Sequence, residues 1–471
     1  MMIMPAPLFF AAPVCALEHP NPVVEGIQHL ISAPELEGIE MGLMVFSLKR
    51  NEVVFARDAD KLLKPASNVK LLTTLAALKY LGPDYTFKTR FYVDGPVQNG
   101  ILNGNLYVKG FGDPKLVSEQ LWFIANTLKR AGFRRVLGRL VIDDTYFDEI
   151  RQIKNGAKNR GGRAYDALLG ALSVNFNTTA IYVKPAQKAG LMPRVTVDPD
   201  NSYIRVSNKA VTVASGQPMS LKVFRVPGKY DDAIVIEGNI PMHMTERRYY
   251  RNISYPRQYA AALLRRFLKE RGIIIKGGNQ YRKAPPEARE ILVYESRPLR
   301  TIVSDLNRMS NNFVAEQILK TMAAELKGAP GTTDKGLELL GNFLKEMGIT
   351  NHYKLVNGSG LSPDNQMTAA QLTEILKYGY RNFNLFPEYV SSMGIVGVDG
   401  TVDFRLKNTV AQGRVRAKTG SLTGVATLSG YLNTLQNETL AFSFLMNDAR
   451  RRNPLMQHVQ DQILLKLCHM E

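Results

Sequence analysis

The sequence has almost no cysteine, no paired histidines and no long apolar run past its first residues, and each absence excludes a class of protein. Only Cys15 and Cys468 occur among the 471 residues, which excludes a disulfide framework and a cysteine-based metal cluster. The six histidines contain no His-Glu-x-x-His or similar pair, so a zinc hydrolase is disfavoured and we expect no metal or other cofactor. Beyond the N-terminal segment, no apolar run approaches the roughly 18 residues of a membrane-spanning helix.

Acidic residues are in deficit, with 42 Asp and Glu against 60 Lys and Arg, so the formal net charge is +18. A basic surface favours an anionic partner, such as nucleic acid, anionic lipid or an acidic cell-wall polymer. Because no nucleic-acid-binding motif accompanies the charge, we expect no nucleic-acid partner and favour electrostatic association with an anionic wall or membrane surface. The content of 45% apolar and 22% charged residues is typical of a globular chain, and the length suggests about three domains.

The first 17 residues carry no charged side chain and include an apolar stretch. We predict a signal peptide over residues 1–16, with Val14-Cys15-Ala16 as a small-residue cleavage site, and therefore an exported, periplasmic protein. The basic residues that normally precede the apolar stretch are missing, since the first Lys or Arg is Lys49. Three prolines in this segment disfavour a membrane-spanning helix.

The pattern of apolar residues divides the chain into three stretches. Residues 41–57 predict a β-hairpin, and the helical spacing of apolar residues after Pro65 predicts a helix. Short strand-like segments dominate residues 88–292, with some helix around residues 119–131, whereas helices dominate from residue 301. Strands return after residue 414, before a final helix at about residues 456–468. We therefore predict one discontinuous domain, residues 17–87 and 293–471, interrupted by a β-rich insertion over residues 88–292 that forms two subdomains.

A single Ser-x-x-Lys motif, Ser67-Asn68-Val69-Lys70, opens the first strong helix. Positions i and i+3 share a helix face, so the lysine amine can reach the serine hydroxyl. A lysine with a lowered pKa can act as the base that a serine nucleophile requires. Taken alone, the motif is also compatible with a helix-capping serine and a solvated lysine.

Two further motifs are compatible with the same site. Lys418-Thr419-Gly420 ends a strand-like run, where lysine and threonine can bind a carboxylate and the glycine allows a ligand to approach closely. A Ser-x-Asn motif begins at Ser310, before a predicted helix, and another begins at Ser173, among strand-like residues. We select Ser310, because a loop before a helix suits a site that must meet Ser67, and we expect Ser173 to serve the fold. A polar turn and a helix cap remain as alternative interpretations.

Ser-x-x-Lys, Ser-x-Asn and Lys-Thr-Gly, in this order, are typical of penicillin-recognising serine enzymes. The 240 residues between Lys70 and Ser310 resemble the class C low-molecular-mass penicillin-binding proteins, a D-alanyl-D-alanine carboxypeptidase/endopeptidase family with domains inserted between the first two motifs. Further segments, beginning at Gly104, Ala171, Asn357 and Val398, are similar to this family. The resemblance implies an α+β fold of the transpeptidase/β-lactamase type, with helices around an antiparallel sheet and a large, mainly β insertion.

The resemblance also implies catalytic roles for four residues. Ser67 would be the acylated nucleophile, and Lys70 would be the base that activates it. Ser310 would relay a proton toward the leaving amine. Lys418 would supply positive potential and, together with partial burial, lower the pKa of Lys70.

Substrate binding is implied for four more residues, Asn312, Thr419, Gly420 and Ser421. Asn312 would bind the substrate amide, while the hydroxyls of Thr419 and Ser421 would hold the terminal carboxylate. Backbone N–H groups of Ser67 and Ser421 would form the oxyanion hole. The implied partners are peptidoglycan stem peptides ending in D-Ala-D-Ala, their crosslinks, and β-lactam antibiotics as covalent inhibitors.

Two positions depart from the pattern that this family usually shows. Asn357 stands where the family has Asp, and Pro363 stands where it has a basic residue, so we do not assume a preference for a diaminopimelate-type amine. Two other functions remain as alternatives: a β-lactamase or esterase of the same superfamily, and a non-catalytic wall-binding scaffold.

Overall fold

A computed structural model of the chain describes residues 21–154 and 162–470. The predicted signal peptide, residues 1–16, lies outside these ranges. Within them, no helix is both long enough and apolar enough to traverse a lipid bilayer.

The N-terminal part of the fold contains two helices and a β-hairpin. They are α1 (Pro22–Ile31), β1 (Glu40–Ser47), β2 (Glu52–Arg57) and α2 (Val69–Tyr80). The predicted hairpin is confirmed, because β1 and β2 pair antiparallel. Helix α2 is buried from Val69 to Leu78 on every face, polar residues included. Lys70 therefore lies in the protein interior rather than on a solvated helix face.

The middle of the chain is rich in short strands, as predicted. The described strands are β3 (Lys88–Val93), β4 (Val97–Gln98), β5 (Ile101–Leu102), β6 (Leu106–Gly110), β7 (Arg135–Val136), β8 (Leu140–Asp143), β9 (Thr178–Lys184), β10 (Arg194–Asp198), β11 (Ile204–Asn208), β12 (Val211–Val213), β13 (Lys222–Pro227), β14 (Asp232–Glu237), β15 (Asn239–Pro241), β16 (Arg247–Asn252), β17 (Ile274–Ile275), β18 (Asn279–Tyr281) and β19 (Arg289–Glu295). They form five small sheets, of which the largest has the order β18-β8-β6-β3-β19.

Two helices accompany these sheets, α3 (Ser118–Arg130) and α4 (Pro256–Glu270). The sequence analysis predicted α3 but missed α4, although Tyr259, Leu263 and Phe267 recur every four residues and are all buried. The middle region has its own apolar cluster. This separate cluster is compatible with an inserted unit, and the domain boundaries stay a prediction.

The C-terminal part returns to long helices and three long strands. The elements are α5 (Leu299–Met309), α6 (Asn312–Lys327), α7 (Thr333–Glu346), α8 (Ala369–Arg381), α9 (Phe386–Ser391), β20 (Gly394–Ile395), β21 (Val415–Leu422), β22 (Val425–Asn433), β23 (Thr439–Asn447) and α10 (Asn453–Cys468).

Both ends of the described chain build one antiparallel sheet, with the order β2-β1-β23-β22-β21-β20. Along β23, Phe442 and Phe444 belong to the apolar cluster that contains α1 and α10. Ala441 and Leu445 belong to the cluster formed with α2 and α5 to α8. This alternation follows from the two-residue period of a strand. The sheet therefore lies between two helical layers, which agrees with the predicted α+β class.

Strand β21 has an open edge where the Lys-Thr-Gly motif lies. Strand β20 pairs with β21 only at Arg416 and Ala417, whereas β22 pairs with β21 along its whole length. In the described parts of the chain, no strand covers the outer edge of β21 from Lys418 to Leu422. This edge offers unpaired backbone groups beside the three motifs.

Candidate active site

The turn that carries Ser67 is strained and tightly packed. Residues Ala66–Asn68 form one 3₁₀ turn before α2, and Ala66 is buried with a φ angle of +45°. A left-handed backbone at a non-glycine residue costs free energy and clusters at functional sites. Gly360 packs against this turn, because a Cβ at Gly360 would overlap the Ala66 carbonyl. The predicted nucleophile thus lies on a turn that neighbouring backbone holds in place.

The first two motifs meet at the Lys70 amine. Lys70 Nζ lies 2.9 Å from Ser67 Oγ and 2.7 Å from Asn312 Oδ1, and it donates to the Ser359 carbonyl at 2.6 Å. Helix α6 presents Asn312 from its first residue, immediately after the Ser310 turn. The interpretation of Lys70 as a solvated lysine is therefore wrong.

Burial lowers the pKa of Lys70 to about 7, while the nearby negative charge of Glu316 acts in the opposite direction. The sequence analysis expected partial burial and an effect of Lys418. The amine is instead completely buried, and desolvation is the main cause of the shift. A large share of Lys70 is consequently neutral near pH 7 and can accept a proton from Ser67.

Glu316 was missed by the sequence analysis. It follows Asn312 by four residues on α6, and its Oε1 accepts a hydrogen bond from Ser359 N–H at 2.7 Å. Burial raises the pKa of this carboxyl group, and the Ser359 hydrogen bonds and Lys70 oppose the rise. The helical spacing from the Ser-x-Asn motif is the signal that could have identified it.

Glu316→Gln is expected to move the acid limb of the pH profile for acylation to lower pH. The substitution removes a negative charge that stabilises protonated Lys70, so the pKa of Lys70 falls further. The glutamine oxygen can still accept from Ser359 N–H. The measurement is the rate constant for acylation by a fluorescent penicillin between pH 5 and pH 9. Glu325→Gln, on the same helix but bonded to Tyr85 and Tyr146, is the control. If the acid limb of the profile does not move, or moves to higher pH, the expected electrostatic interaction between Glu316 and Lys70 is contradicted.

The second and third motifs meet at Lys418. Its Nζ donates to Ser310 Oγ at 2.8 Å and to the Thr419 carbonyl at 2.7 Å. Ser310 adopts a left-handed conformation at the end of α5, immediately before Asn311, the N-cap residue of α6. Lys418 is completely buried, and burial, together with the nearby Lys70, holds its pKa well below the usual lysine value. This lowering of the pKa opposes the positive charge that the resemblance implies for Lys418, and the role of its amine stays a prediction.

A cavity of about 270 Å³ joins the motifs, and Ser67, Ser310, Thr419, Gly420 and Ser421 line it. The strand and the nucleophile turn lie in contact here, because a Cβ on Gly420 would lie 2.9 Å from the Ser67 nitrogen. The structure thus brings all three motifs to one cavity. The roles of the eight residues remain predictions.

Thr401 and Arg405 also line this cavity and were missed by the sequence analysis. Thr401 Oγ1 lies 2.7 Å from Thr419 Oγ1. The buried Arg405 guanidinium pairs with Asp461 at 2.8 Å and donates to the Gln457 carbonyl at 3.0 Å. Arginine keeps its charge when buried. Arg405 therefore supplies a permanent positive charge on the cavity wall.

The remaining sequence signals have structural explanations. Ser173, in the second Ser-x-Asn motif, donates to the Gly170 carbonyl at 2.8 Å and accepts from Asn177, so it serves the fold as predicted. Asn357 is buried and donates to the Lys154 carbonyl at 2.6 Å. Pro363 is exposed in a turn. In the two described ranges, no group of three His, Cys, Asp or Glu side chains is arranged to hold a metal ion.

Comparisons with known proteins show the family of the chain. The sequence profile of the D-Ala-D-Ala carboxypeptidase 3 (S13) family matches residues 23–465. A D-alanyl-D-alanine carboxypeptidase from an Actinomadura species is 32% identical over 461 residues, which cover 94% of this chain and 84% of the relative.

Solved structures share the fold. The crystal structure of penicillin binding protein 4 from Haemophilus influenzae matches with a TM-score of 0.82 and 24% identity, over 94% of this chain and 99% of that chain. A penicillin G-acylated predatory endopeptidase from Bdellovibrio bacteriovorus matches with a TM-score of 0.52 and 17% identity, over 92% and 94%. From the nearly complete profile match and the Actinomadura relative, the chain belongs to the D-Ala-D-Ala carboxypeptidase 3 (S13) family, which comprises serine-type carboxypeptidases among the penicillin-binding proteins.

Proposed function

We propose that the chain hydrolyses D-Ala-D-Ala termini and D-Ala crosslinks of peptidoglycan through an acyl-enzyme on Ser67, and that β-lactams acylate the same serine. The observation that carries this proposal is the 2.9 Å contact between Ser67 Oγ and the amine of Lys70, whose pKa is lowered to about 7. A serine hydroxyl becomes an effective nucleophile when such a base can take its proton.

The reaction begins when neutral Lys70 accepts the Ser67 proton and Oγ attacks the carbonyl carbon of the penultimate D-Ala. Backbone N–H groups of Ser67 and Ser421 stabilise the oxyanion. The C–N bond then breaks, and the leaving amine receives a proton through Ser310, which Lys418 holds in place. Water attacks the ester, and hydrolysis releases the shortened peptide and regenerates the Ser67 hydroxyl.

Arg405 supplies the charge that attracts the terminal carboxylate to this cavity, beside the Thr419 and Ser421 hydroxyls. The hydrogen bonds of its guanidinium within the described chain use Nε and Nη2. Nη1 is therefore available to a ligand. Asp461 offsets part of the Arg405 charge, so the proposed contribution to binding is a charge-assisted hydrogen bond from Nη1 to the carboxylate.

Arg405→Gln is expected to lower kcat/KM for a peptide ending in D-Ala-D-Ala by about 10- to 100-fold, the effect of losing a hydrogen bond to a charged group. The same peptide with an amidated C-terminus has no carboxylate, so its slow hydrolysis is expected to change little. Arg405→Lys retains the charge opposite Asp461 and is expected to recover part of the loss. Equal losses for the two peptides would assign Arg405 a purely structural role.

Endopeptidase activity requires a crosslinked strand to reach the cavity. The open edge of β21 can pair with an extended peptide on the leaving side of the scissile bond. The Bdellovibrio protein that shares this fold is an endopeptidase, which is compatible with this proposal. The two activities are compared by two assays on the same preparation. One measures release of free D-alanine, and the other measures cleavage of purified crosslinked dimers.

Labelling with a fluorescent penicillin over time tests the acyl-enzyme. A stable adduct is expected, because the leaving group of an opened β-lactam stays attached and hinders water. An adduct that clears within seconds would instead indicate the β-lactamase alternative. Failure to label would favour a non-catalytic scaffold.

We also propose that the enzyme is exported and that its charge of +18 holds it against an anionic wall or membrane surface. Co-sedimentation with isolated cell-wall sacculi is expected to decrease as salt rises from about 0.05 M to 0.5 M, because salt screens exposed charges. Salt-independent sedimentation would contradict an electrostatic association.

A further inference from the structure

A second cavity, of about 860 Å³, lies in the middle region between α3 and strands β9 and β16. This volume is in the range of ligand-binding sites. Its wall includes Trp122, the only tryptophan of the chain, whose exposed fraction is 50%. Phe123 and Tyr250 also line the cavity and are 52% and 44% exposed. We call this cavity the aromatic groove.

The charge of the aromatic groove differs from that of the whole protein. Although the net charge is +18, the residues that line the groove include no Lys, Arg or His. Its ionisable carboxyl groups are Glu119 and Asp198, and Ser118 and Asn175 add neutral polar atoms. Arg271 and Arg248 lie over the rings of Trp122 and Tyr250, 5.7 Å and 5.2 Å from the ring centroids, but neither arginine lines the cavity. The lining itself suits a ligand that combines hydroxyl and amide groups with apolar C–H faces.

The wall of the groove contacts the helices of the active site. Phe176 packs edge-on against Phe313, with ring centroids 6.2 Å apart, and Phe313 follows Asn312 on α6. Lys115 lies over the Phe176 ring and pairs with Asp305 on α5 at 2.8 Å. The groove is therefore continuous with the structure that holds the Ser-x-Asn motif.

Backbone strain at the same wall is independent of these contacts. Asn175, Phe176 and Asn177 all have φ angles between 51° and 57°, in the left-handed region. Three such residues in succession are costly without glycine, and strained segments of this kind cluster at functional sites. Asn175 is held by Ser118, whose backbone N–H donates to Asn175 Oδ1 at 3.0 Å. This strained turn carries Asn175 and Phe176, which both line the groove.

We propose that the aromatic groove binds the saccharide backbone of the substrate, a β-linked strand of N-acetylated amino sugars. The rings of Trp122 and Tyr250 stack on the C–H faces of the sugars, and the carboxylates and amides accept or donate hydrogen bonds to hydroxyl and acetamido groups. The choice of a peptidoglycan saccharide rests on the proposed function.

Tryptophan fluorescence tests this inference directly, because Trp122 is the only source of the indole signal. The probe is a β-1,4-linked tetramer of N-acetylglucosamine, titrated into the intact protein. It contains no peptide, so the result does not depend on catalysis. We expect a saturable change in emission, and about tenfold weaker binding to Tyr250→Ala, the effect of losing one stacking ring.

Tyr230→Ala is the matched control, because Tyr230 is 64% exposed on the middle region but does not line the groove. Thermal unfolding verifies that both variants are folded. If Tyr250→Ala is not folded, calorimetric titration of Trp122→Phe with the same tetramer provides a second measurement. No saturable binding at millimolar probe, or equal binding to Tyr250→Ala, would overturn the inference.

Two further outcomes would identify another occupant and overturn the saccharide assignment. One is competition for the groove by poly(glycerol phosphate), an anionic wall polymer. The other is a dimer in sedimentation that Tyr250→Ala dissociates. Penicillin labelling without binding of the tetramer would contradict this inference and leave the proposed function standing. Binding of the tetramer without penicillin labelling would contradict only the acyl-enzyme proposal.

Discussion

Ser67→Ala is expected to abolish the penicillin adduct and to reduce D-alanine release by about 10⁴-fold or more, as expected for loss of a nucleophile that acts with its base as a unit. The fold is expected to survive, because the side chain contributes one hydrogen bond, to Lys70 Nζ. Such a bond contributes about 1 kcal/mol to stability, which corresponds to a shift of a few degrees in Tm. The measurements are time-resolved labelling and thermal unfolding of the same preparations.

The matched control for this substitution is Ser32→Ala. Ser32 is the C-cap residue of α1, and its exposed hydroxyl donates to the Gln28 carbonyl at 2.8 Å. It is expected to label as the wild type does. Persistent labelling of Ser67→Ala would show that another residue is the nucleophile. A large decrease in Tm would show that the activity is lost because the variant unfolds.

The rate of acylation is expected to rise with pH through about 7 and then to level off. Lys70 acts as a base only when it is neutral, and its pKa is lowered to about 7 by burial. Well below this pKa the neutral fraction falls about tenfold for each pH unit, and the rate falls with it. The acylation rate constant for a penicillin, measured from pH 5 to pH 9, gives the profile.

Thermal unfolding over the same pH range distinguishes titration of the base from loss of the fold. A profile that is flat down to pH 5 would exclude Lys70 as the proton acceptor. A rise only near the usual lysine pKa, about 10.5, would show that the amine is not desolvated in solution.

The residues that meet at the cavity could be selected from the sequence because they belong to three short motifs. Ser67 and Lys70 share one helix turn, and Lys418 and Thr419 are neighbours on one strand, so local spacing nearly determines their relative positions. The distance between the motifs could not be derived in this way. It follows from sheet pairing and from the packing of α6 on α2, which involve residues hundreds of positions apart.

The sequence analysis did not identify the charged side chains near the cavity that lie outside the three motifs. Glu316 and Arg405 belong to the site because the fold buries them beside Lys70 and Thr419, and burial is a property of the packed protein. The degree of burial of Lys70 was underestimated for the same reason. Apolar spacing along α2 predicts one buried face, but surrounding elements cover its polar residues as well.

The pairing of β1 with β23 determines when the catalytic site can form during folding. Val45 and Phe442 are opposite each other in the sheet although 397 residues separate them. Such non-local pairing forms slowly, whereas the middle region can bury its own apolar cluster earlier. The nucleophile turn also depends on late residues, since Thr427 Oγ1 donates to the Pro65 carbonyl at 2.9 Å and Asn68 donates to Ser429 at 2.7 Å. A nascent or truncated chain that stops before β21 therefore lacks the surface that orders Ser67, and the predicted nucleophile is positioned only after β22 has been added.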